Sequence, residues 1–297
     1  MYAPKHVAAW RRIVEFVHGR GQGAGAQAPS TNVAFGLQLG HAGRKASTRL
    51  AWEGADEPLV SGNWVTLAPS PIPYTPRHAA PREMTREDMD RVKSEYVRAT
   101  KMGEECGFDL LEIHMAHGYL LASFLSPLTN QRTDAFGGSA EARMRYPLEI
   151  FEAVRAVWPK RKPISVRISA TDWIPGGFEG EDAVVFARAL KERGCDIIDV
   201  STGQTTPESH PEFYGRMWQT PFADQIRGEA NIPTMTVGNI TTTDQLNTIL
   251  LAGRADLCAL ARPHLRDPYF TLHAADEQGW DVPWPNQYLS AKPRRPS

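Results

Sequence analysis

Short apolar runs alternate with longer amphipathic stretches along most of the chain. The runs lie at 33–39, 109–114, 164–169, 196–201, 234–237 and 256–261. Their content of Val, Ile and Leu suits strands buried on both faces of a parallel sheet. Between them the spacing of apolar positions predicts helices over about 5–18, 85–106, 140–157, 181–193 and 242–251. Thr85, with Asp88 three residues on, opens its helix as a capping box does. Gly253 is a natural stop for the last of them. Strand–helix alternation of this kind predicts an α/β fold with a parallel sheet, either doubly wound or closed into a barrel.

Two segments interrupt the alternation. Residues 19–29 are rich in Gly and Ala and hold a loose G-x-G-x-x-A. That fingerprint must follow a strand and open a helix to bind a dinucleotide, and here it follows a helix, so a linker is expected. Residues 47–81 carry many prolines, Trp52 and Trp64, with no clean period. The stretch is too long for an ordinary connection and reads as a lid or cap over a site. No repeat or second domain is visible, so 1–297 is expected to be one domain with a tail at 271–297.

Composition narrows the function classes. At 297 residues and 41 % hydrophobic content the chain can bury one large core. A formal net charge of -1 gives no general attraction to nucleic acid or to an anionic membrane. Cys106, Cys195 and Cys258 lie far apart without a C-x-x-C pair, which argues against a disulfide or zinc framework and for a reducing compartment. Residues 1–12 lack the apolar segment of a signal peptide, and no run approaches the roughly 18 apolar residues of a spanning helix. A soluble, cytoplasmic protein is expected.

In a parallel barrel the working groups sit where strands end and βα loops begin. The first visible strand ends in Gln38-Leu39-Gly40-His41, the second in His114-Met115-Ala116-His117-Gly118-Tyr119, the fifth in Gly238-Asn239 and the sixth in Ala261-Arg262. His114 and His117 can each donate a hydrogen bond to one oxygen, polarising a carbonyl or holding a phenolate, and Tyr119 has a proton to give. The same pair could equally be structural, bonded to loop carbonyls. With Glu112 it supplies three metal-ligand types, although residues three apart at a strand end suit one tetrahedral ion poorly. Arg167 shares a strand face with Ser165 and Ser169; inside a barrel its guanidinium needs an anionic or electron-rich partner, either a ligand or an internal carboxylate. Gly238-Asn239 and Ala261-Arg262 each precede a predicted helix, as in the phosphate site that barrels build after their last strands.

Together these pieces resemble a known family. Gln38-Leu39-Gly40-His41-Ala42-Gly43-Arg44 is similar to the third-strand signature of the Old Yellow Enzymes. The string from Ile113 to Leu120, continuing through Phe124-Leu125-Ser126-Pro127 and from Asn130 to Ser139, resembles that family's most specific motif. The likeness runs from about Tyr2 to Phe270. The segment Trp284-Pro285-Asn286-Gln287-Tyr288 further resembles the reductase half of salicylyl-CoA and anthraniloyl-CoA monooxygenases. The resemblance implies a TIM-type (β/α) barrel that binds FMN and uses NAD(P)H as reductant. It implies that Gln38 and Arg167 meet the flavin's pyrimidine edge and that Gly238, Asn239, Ala261 and Arg262 hold its phosphate. Ala261 departs from the glycine the family often places there. His114 and His117 would bind the substrate's oxygen and Tyr119 would act as proton donor, with no metal. The family barrel has eight strands and six are visible here, so the first two βα units are expected to be missing, with Met1 an internal methionine.

The leading expectation is therefore an ene-reductase acting on a small activated alkene, an enone or a CoA thioester, alone or as a homo-oligomer or fusion. A binding module that works only inside a larger flavoprotein, and a metal-dependent barrel hydrolase, are the alternatives from other classes.

Overall fold

The computed structural model describes residues 1–19 and 33–293, so the linker expected at 19–29 lies, apart from Gly19, outside the described residues. The chain opens with α1 (Pro4–Val17), β1 (Gly36–Leu39) and a 3-10 turn at Gly43–Lys45. The long segment expected as a lid holds α2 (Ala51–Gly54) and β2 (Leu67–Ala68), and β2 pairs with β3 (Arg82–Glu83) in a small separate ladder. There follow α3 (Arg86–Cys106), β4 (Leu110–Met115), α4 (Leu120–Leu125), α5 (Ala140–Val157), β5 (Ile164–Ser169) and α6 (Gly180–Glu192). The remainder is β6 (Ile197–Ser201), α7 (Thr220–Ala230), β7 (Thr234–Thr236), α8 (Thr243–Leu251), β8 (Leu257–Cys258), α9 (Arg262–Arg266), α10 (Phe270–Glu277) and a 3-10 turn at Asn286–Ala291.

The main sheet has the order β1-β4-β5-β6-β7-β8, and every pairing in it is parallel. Sequential neighbours joined through helices are what the alternating pattern predicts. Among the described residues β1 pairs only with β4 and β8 only with β7. One-sided pairing explains why these two strands are shorter than their apolar runs: β1 begins at Gly36 rather than 33, and β8 covers two residues of 256–261. Helix α7 was not expected from the pattern; Pro221 in its first turn and left-handed Asn231 at its end mark its limits. None of the described helices is long and apolar enough to cross a membrane.

Alternation along the strands sorts the chemistry. Leu111, Ile113 and Met115 of β4 and Ile164, Val166 and Ile168 of β5 are fully buried and join one hydrophobic cluster with helix residues such as Phe151, Val154 and Phe186. Each such side chain contributes roughly 1.5–3 kcal/mol by leaving water. The rings of Phe124 of α4 and Tyr146 of α5 meet at a tilt, 4.6 Å between centres, within this shell. The other face of the same strands carries Glu112 and His114, then Ser165, Arg167 and Ser169, then Asp199 and Ser201. Helix α3 begins as expected, with the Thr85 side chain accepting from the Asp88 amide and Asp88 returning the bond.

Candidate active site

Parallel register sets the polar inner face in rows. His114 of β4 lies beside Arg167 of β5, which lies beside Asp199 of β6; Gln38 of β1 lies beside Glu112, which lies beside Ser165. In the lower row Gln38 Nε2 donates to Glu112 Oε1 at 2.6 Å and Ser165 Oγ donates to Oε2 at 2.7 Å. In the upper row Arg167 Nε stands 3.3 Å from Asp199 Oδ2. The contact is too poorly aligned for a hydrogen bond and leaves both Arg167 Nε and Asp199 Oδ1 without one. The internal carboxylate that was one option for Arg167 is thus present, while a quarter of its side chain stays open to a cavity. Burial, with the neighbouring Glu112 charge and against the pull of Arg167, pushes Asp199 up to about 7.

At the end of β4 the chain turns so that three rings meet. The His114 ring lies 5.1 Å from that of His117 and 5.0 Å from that of Tyr119, the latter edge-on. The turn needs left-handed backbone at His117 (φ 58°) and Gly118 (φ 66°), and a side chain at Gly118 would strike the backbone of Gln204 and Thr205. His117 is held twice by serines: its amide donates to Ser169 Oγ at 2.9 Å, and its Nε2 lies 2.7 Å from Ser201 Oγ. His114 Nδ1 is buried and has no partner. Burial first, then the positive charges of Arg167 and Lys45, lowers His114 to about 4; burial, Arg167, His114 and Lys45 lower His117 to about 3. At neutral pH both are neutral imidazoles, each able to offer an N–H to an oxygen.

Two buried cations brace this corner. Arg44 donates to the carbonyls of Ile72 and Pro73 in segment 47–81 and, at 2.5 Å, to that of Thr205. Lys45 Nζ reaches the carbonyls of His117 and Gln204, each at 3.4 Å, and lies 4.3 Å above the Tyr74 ring. Burial lowers the affinity of both groups for their protons, Arg44 to about 10.

Beside the histidines opens a cavity of about 570 Å³ whose walls include His117, Arg167, Ser201, Gly238, Asn239 and Arg262. A second, of about 450 Å³, adjoins it through Gly238, Asn239 and Arg262 and adds Ala261, Arg216 and Arg266. The sequence-expected residues Arg167, Gly238, Asn239, Ala261 and Arg262 are therefore brought to one place; Gln38 lines neither cavity and is bound to Glu112. Arg216 donates to Thr241 Oγ1 at 2.7 Å and to Asn239 Oδ1 at 3.3 Å, neither an anion. Among the described residues Arg262 and Arg266 have no carboxylate partner, and Asp267, the one acid of this cavity, is paired with His273. Three arginines without a matching negative charge fit a phosphate group, and Arg167, whose side chain stays partly open to the first cavity, fits an electron-rich ring edge beside it. These residues fit FMN. Among the described residues no three His, Cys, Asp or Glu side chains converge as a metal-ligand set.

Asp199, Ser201 and Arg216 were not singled out in the sequence, and Glu112 only as a possible metal ligand beside the two histidines. Asp199 and Ser201 could have been found by carrying the period-two face of β5 across to the next strand; Arg216 lies in the βα loop after β6, where a barrel keeps its ligand contacts.

The NADH:flavin oxidoreductase / NADH oxidase family matches residues 1–279. An NADPH dehydrogenase of a Geobacillus species is 41 % identical over 288 residues, covering 97 % of this chain and 76 % of the relative. In fold the chain superposes on morphinone reductase in complex with tetrahydroNAD with a TM-score of 0.71 at 23 % identity, covering 97 % of this chain and 75 % of that one. It superposes on a 2-naphthoyl-CoA reductase–2-naphthoyl-CoA complex with a TM-score of 0.76 at 24 % identity; 94 % of this chain is covered and spans 41 % of that reductase's length. The chain belongs to the NADH:flavin oxidoreductase / NADH oxidase family, as an FMN-dependent NAD(P)H oxidoreductase of the Old Yellow Enzyme kind.

Proposed function

We propose that this chain reduces the carbon–carbon double bond of an activated alkene whose carbonyl oxygen is held by His114 and His117. The observation that carries the reading is that His117 belongs both to the ring cluster with His114 and to the wall of the cavity that Arg167 and Arg262 share. FMN, when bound, supplies a hydride taken from NAD(P)H and given to the β-carbon of the alkene. Gln38 and Arg167 would hold its pyrimidine edge, and Gly238, Asn239, Ala261 and Arg262 its phosphate, with Arg216 added from the same cavity wall.

The chain's own residues then act on the substrate. Two neutral imidazoles donate hydrogen bonds to the carbonyl oxygen, and those bonds strengthen as negative charge develops there. The Tyr119 hydroxyl, beside His114, delivers the proton to the α-carbon. Segment 47–81, tied down through Arg44 and Lys45, closes the corner above these groups and keeps water from them. The substrate class is an enone or an aryl-CoA thioester. The thioester draws support from the fold likeness to the 2-naphthoyl-CoA reductase and from the sequence likeness of the Trp284–Tyr288 stretch to salicylyl-CoA and anthraniloyl-CoA monooxygenases.

The test compares wild type with His114→Ala. Titrating p-hydroxybenzaldehyde against the flavin absorption should show weaker binding in the variant at unchanged flavin content. Its NADPH-driven reduction of cyclohexenone should slow by the equivalent of about 2–4 kcal/mol, the usual effect of losing one such donor. Equal affinity and equal rate in the two proteins would return the histidines to a structural role.

A further inference from the structure

The inner face holds two buried carboxylates to which the reaction assigns nothing. Glu112 and Asp199 are 9 % and 2 % exposed and sit on β4 and β6, on either side of β5. Each touches one group expected to meet the flavin: Glu112 takes the Gln38 amide at 2.6 Å, and Asp199 stands 3.3 Å from Arg167. Removing a carboxylate from water is costly unless its partners compensate, and here the compensating partners include the two side chains expected to meet the flavin.

We propose that Glu112 and Asp199 are positioning residues that fix the Gln38 amide and the Arg167 guanidinium for the edge of the flavin ring. The inference rests on the FMN reading above.

The geometry states what each does. A carboxylate accepts and does not donate, so Glu112 dictates that the nitrogen of the Gln38 amide faces it and that Oε1 faces the other way. Ser165 Oγ, donating to the second oxygen at 2.7 Å, keeps the carboxylate from rotating out of this arrangement. Gln38 therefore offers an acceptor of fixed direction together with its second N–H, which is what a ring edge alternating N–H and C=O requires. In its ionised form Asp199 acts on Arg167 by charge rather than by an aligned hydrogen bond. It draws the Nε side of the guanidinium toward β6 and leaves Arg167 in the wall of the larger cavity. A lone guanidinium on this face would have no anchor of opposite charge; with one on the neighbouring strand its position is set by the sheet register.

The experiment measures dissociation constants of FMN and of riboflavin, by quenching of flavin fluorescence, for wild type, Gln38→Ala, Arg167→Ala, Glu112→Gln, Asp199→Asn and the double variant Gln38→Ala/Glu112→Gln. Glu112→Gln and Asp199→Asn are each expected to weaken FMN and riboflavin by the same factor, about tenfold, because the effect is on the ring and not on the phosphate. The double variant should bind no more weakly than Gln38→Ala alone, because Glu112 acts through that side chain. Asp199→Asn keeps the side-chain shape and reads the proposal independently if Glu112→Gln does not fold. If Gln38→Ala and Arg167→Ala weaken the flavin while Glu112→Gln and Asp199→Asn do not, the positioning roles are overturned and the FMN site stands. An additive loss in the double variant overturns the role of Glu112. If neither Gln38→Ala nor Arg167→Ala changes flavin affinity, the assignment of these two residues to the ring is wrong and the inference falls with it.

Discussion

Replacing His114 with Asn should change how the protein responds to acid more than how stable it is at neutral pH. In the folded chain His114 is 6 % exposed, its Nδ1 has no partner, and burial with Arg167 and Lys45 lowers it from 6.5 to about 4. In the unfolded chain it titrates near its ordinary value. The folded state therefore binds the proton less readily, so stability is intact above about pH 6.5 and drains away as pH falls toward 4. At about 1.4 kcal/mol for each tenfold in proton affinity, that interval is worth roughly 3 kcal/mol. Asn cannot take up the proton. Urea unfolding at pH 7 and pH 4 for both proteins gives the quantity needed, the difference between the two acid-induced losses. It should be about 3 kcal/mol in favour of the variant, whatever the substitution costs at pH 7. His117, lowered to about 3 by the same surroundings, leaves a residual slope in both proteins. Parallel stability curves would mean that the imidazole is not buried as a neutral group, and the account of the histidine pair would fail with it.

Gly118→Ala should be among the more damaging small substitutions. Its φ of 66° costs about 1–2 kcal/mol for a residue with a Cβ, and that Cβ would lie 2.6 Å from the Gln204 carbonyl oxygen. Arg44 and Lys45 grip the adjoining carbonyls and resist retreat, so a fall in Tm of roughly 5 °C or more is expected by calorimetry; an unchanged Tm would show that the 204–205 backbone yields freely. Lys45→Met keeps the length of the side chain and removes its charge. Because that charge helps to hold both imidazoles neutral, His114 and His117 should begin to protonate at higher pH in the NMR titration of their ring protons, and an identical titration would count against the electrostatic coupling.

Much of the fold was legible because period and length agree along the chain. The runs at 164–169 and 196–201 became β5 and β6, and the stretch 140–157 became α5 with its limits unchanged. Helix α7 was missed because it follows a long loop and carries a proline in its first turn, which reads as punctuation rather than as a helix start. The site was legible where local strings carry it: His114, His117 and Tyr119 lie within six residues and do meet. It was not legible where partners come from different strands. Nothing near Arg167 in sequence announces Asp199, thirty-two positions on, and nothing near Gln38 announces Glu112, because both pairings depend on the register of neighbouring strands. Ser201 beside His117 is hidden for the same reason.

The alternation of β4 and β5 has a consequence for how such a protein can change. Leu111, Ile113, Ile164, Val166 and Ile168 pack outward with the helices, while Glu112, His114, Ser165 and Arg167 face inward from the same strands. Folding energy is thus drawn from one side of the sheet and the polar groups of the candidate site from the other, at positions that interleave one by one in the sequence. A substitution at an even position of β4 can alter what is bound while the apolar shell that holds the strand in place keeps its contacts. New specificities can then arise by single changes on the inner side, and drift in the outer shell can proceed without disturbing the chemistry.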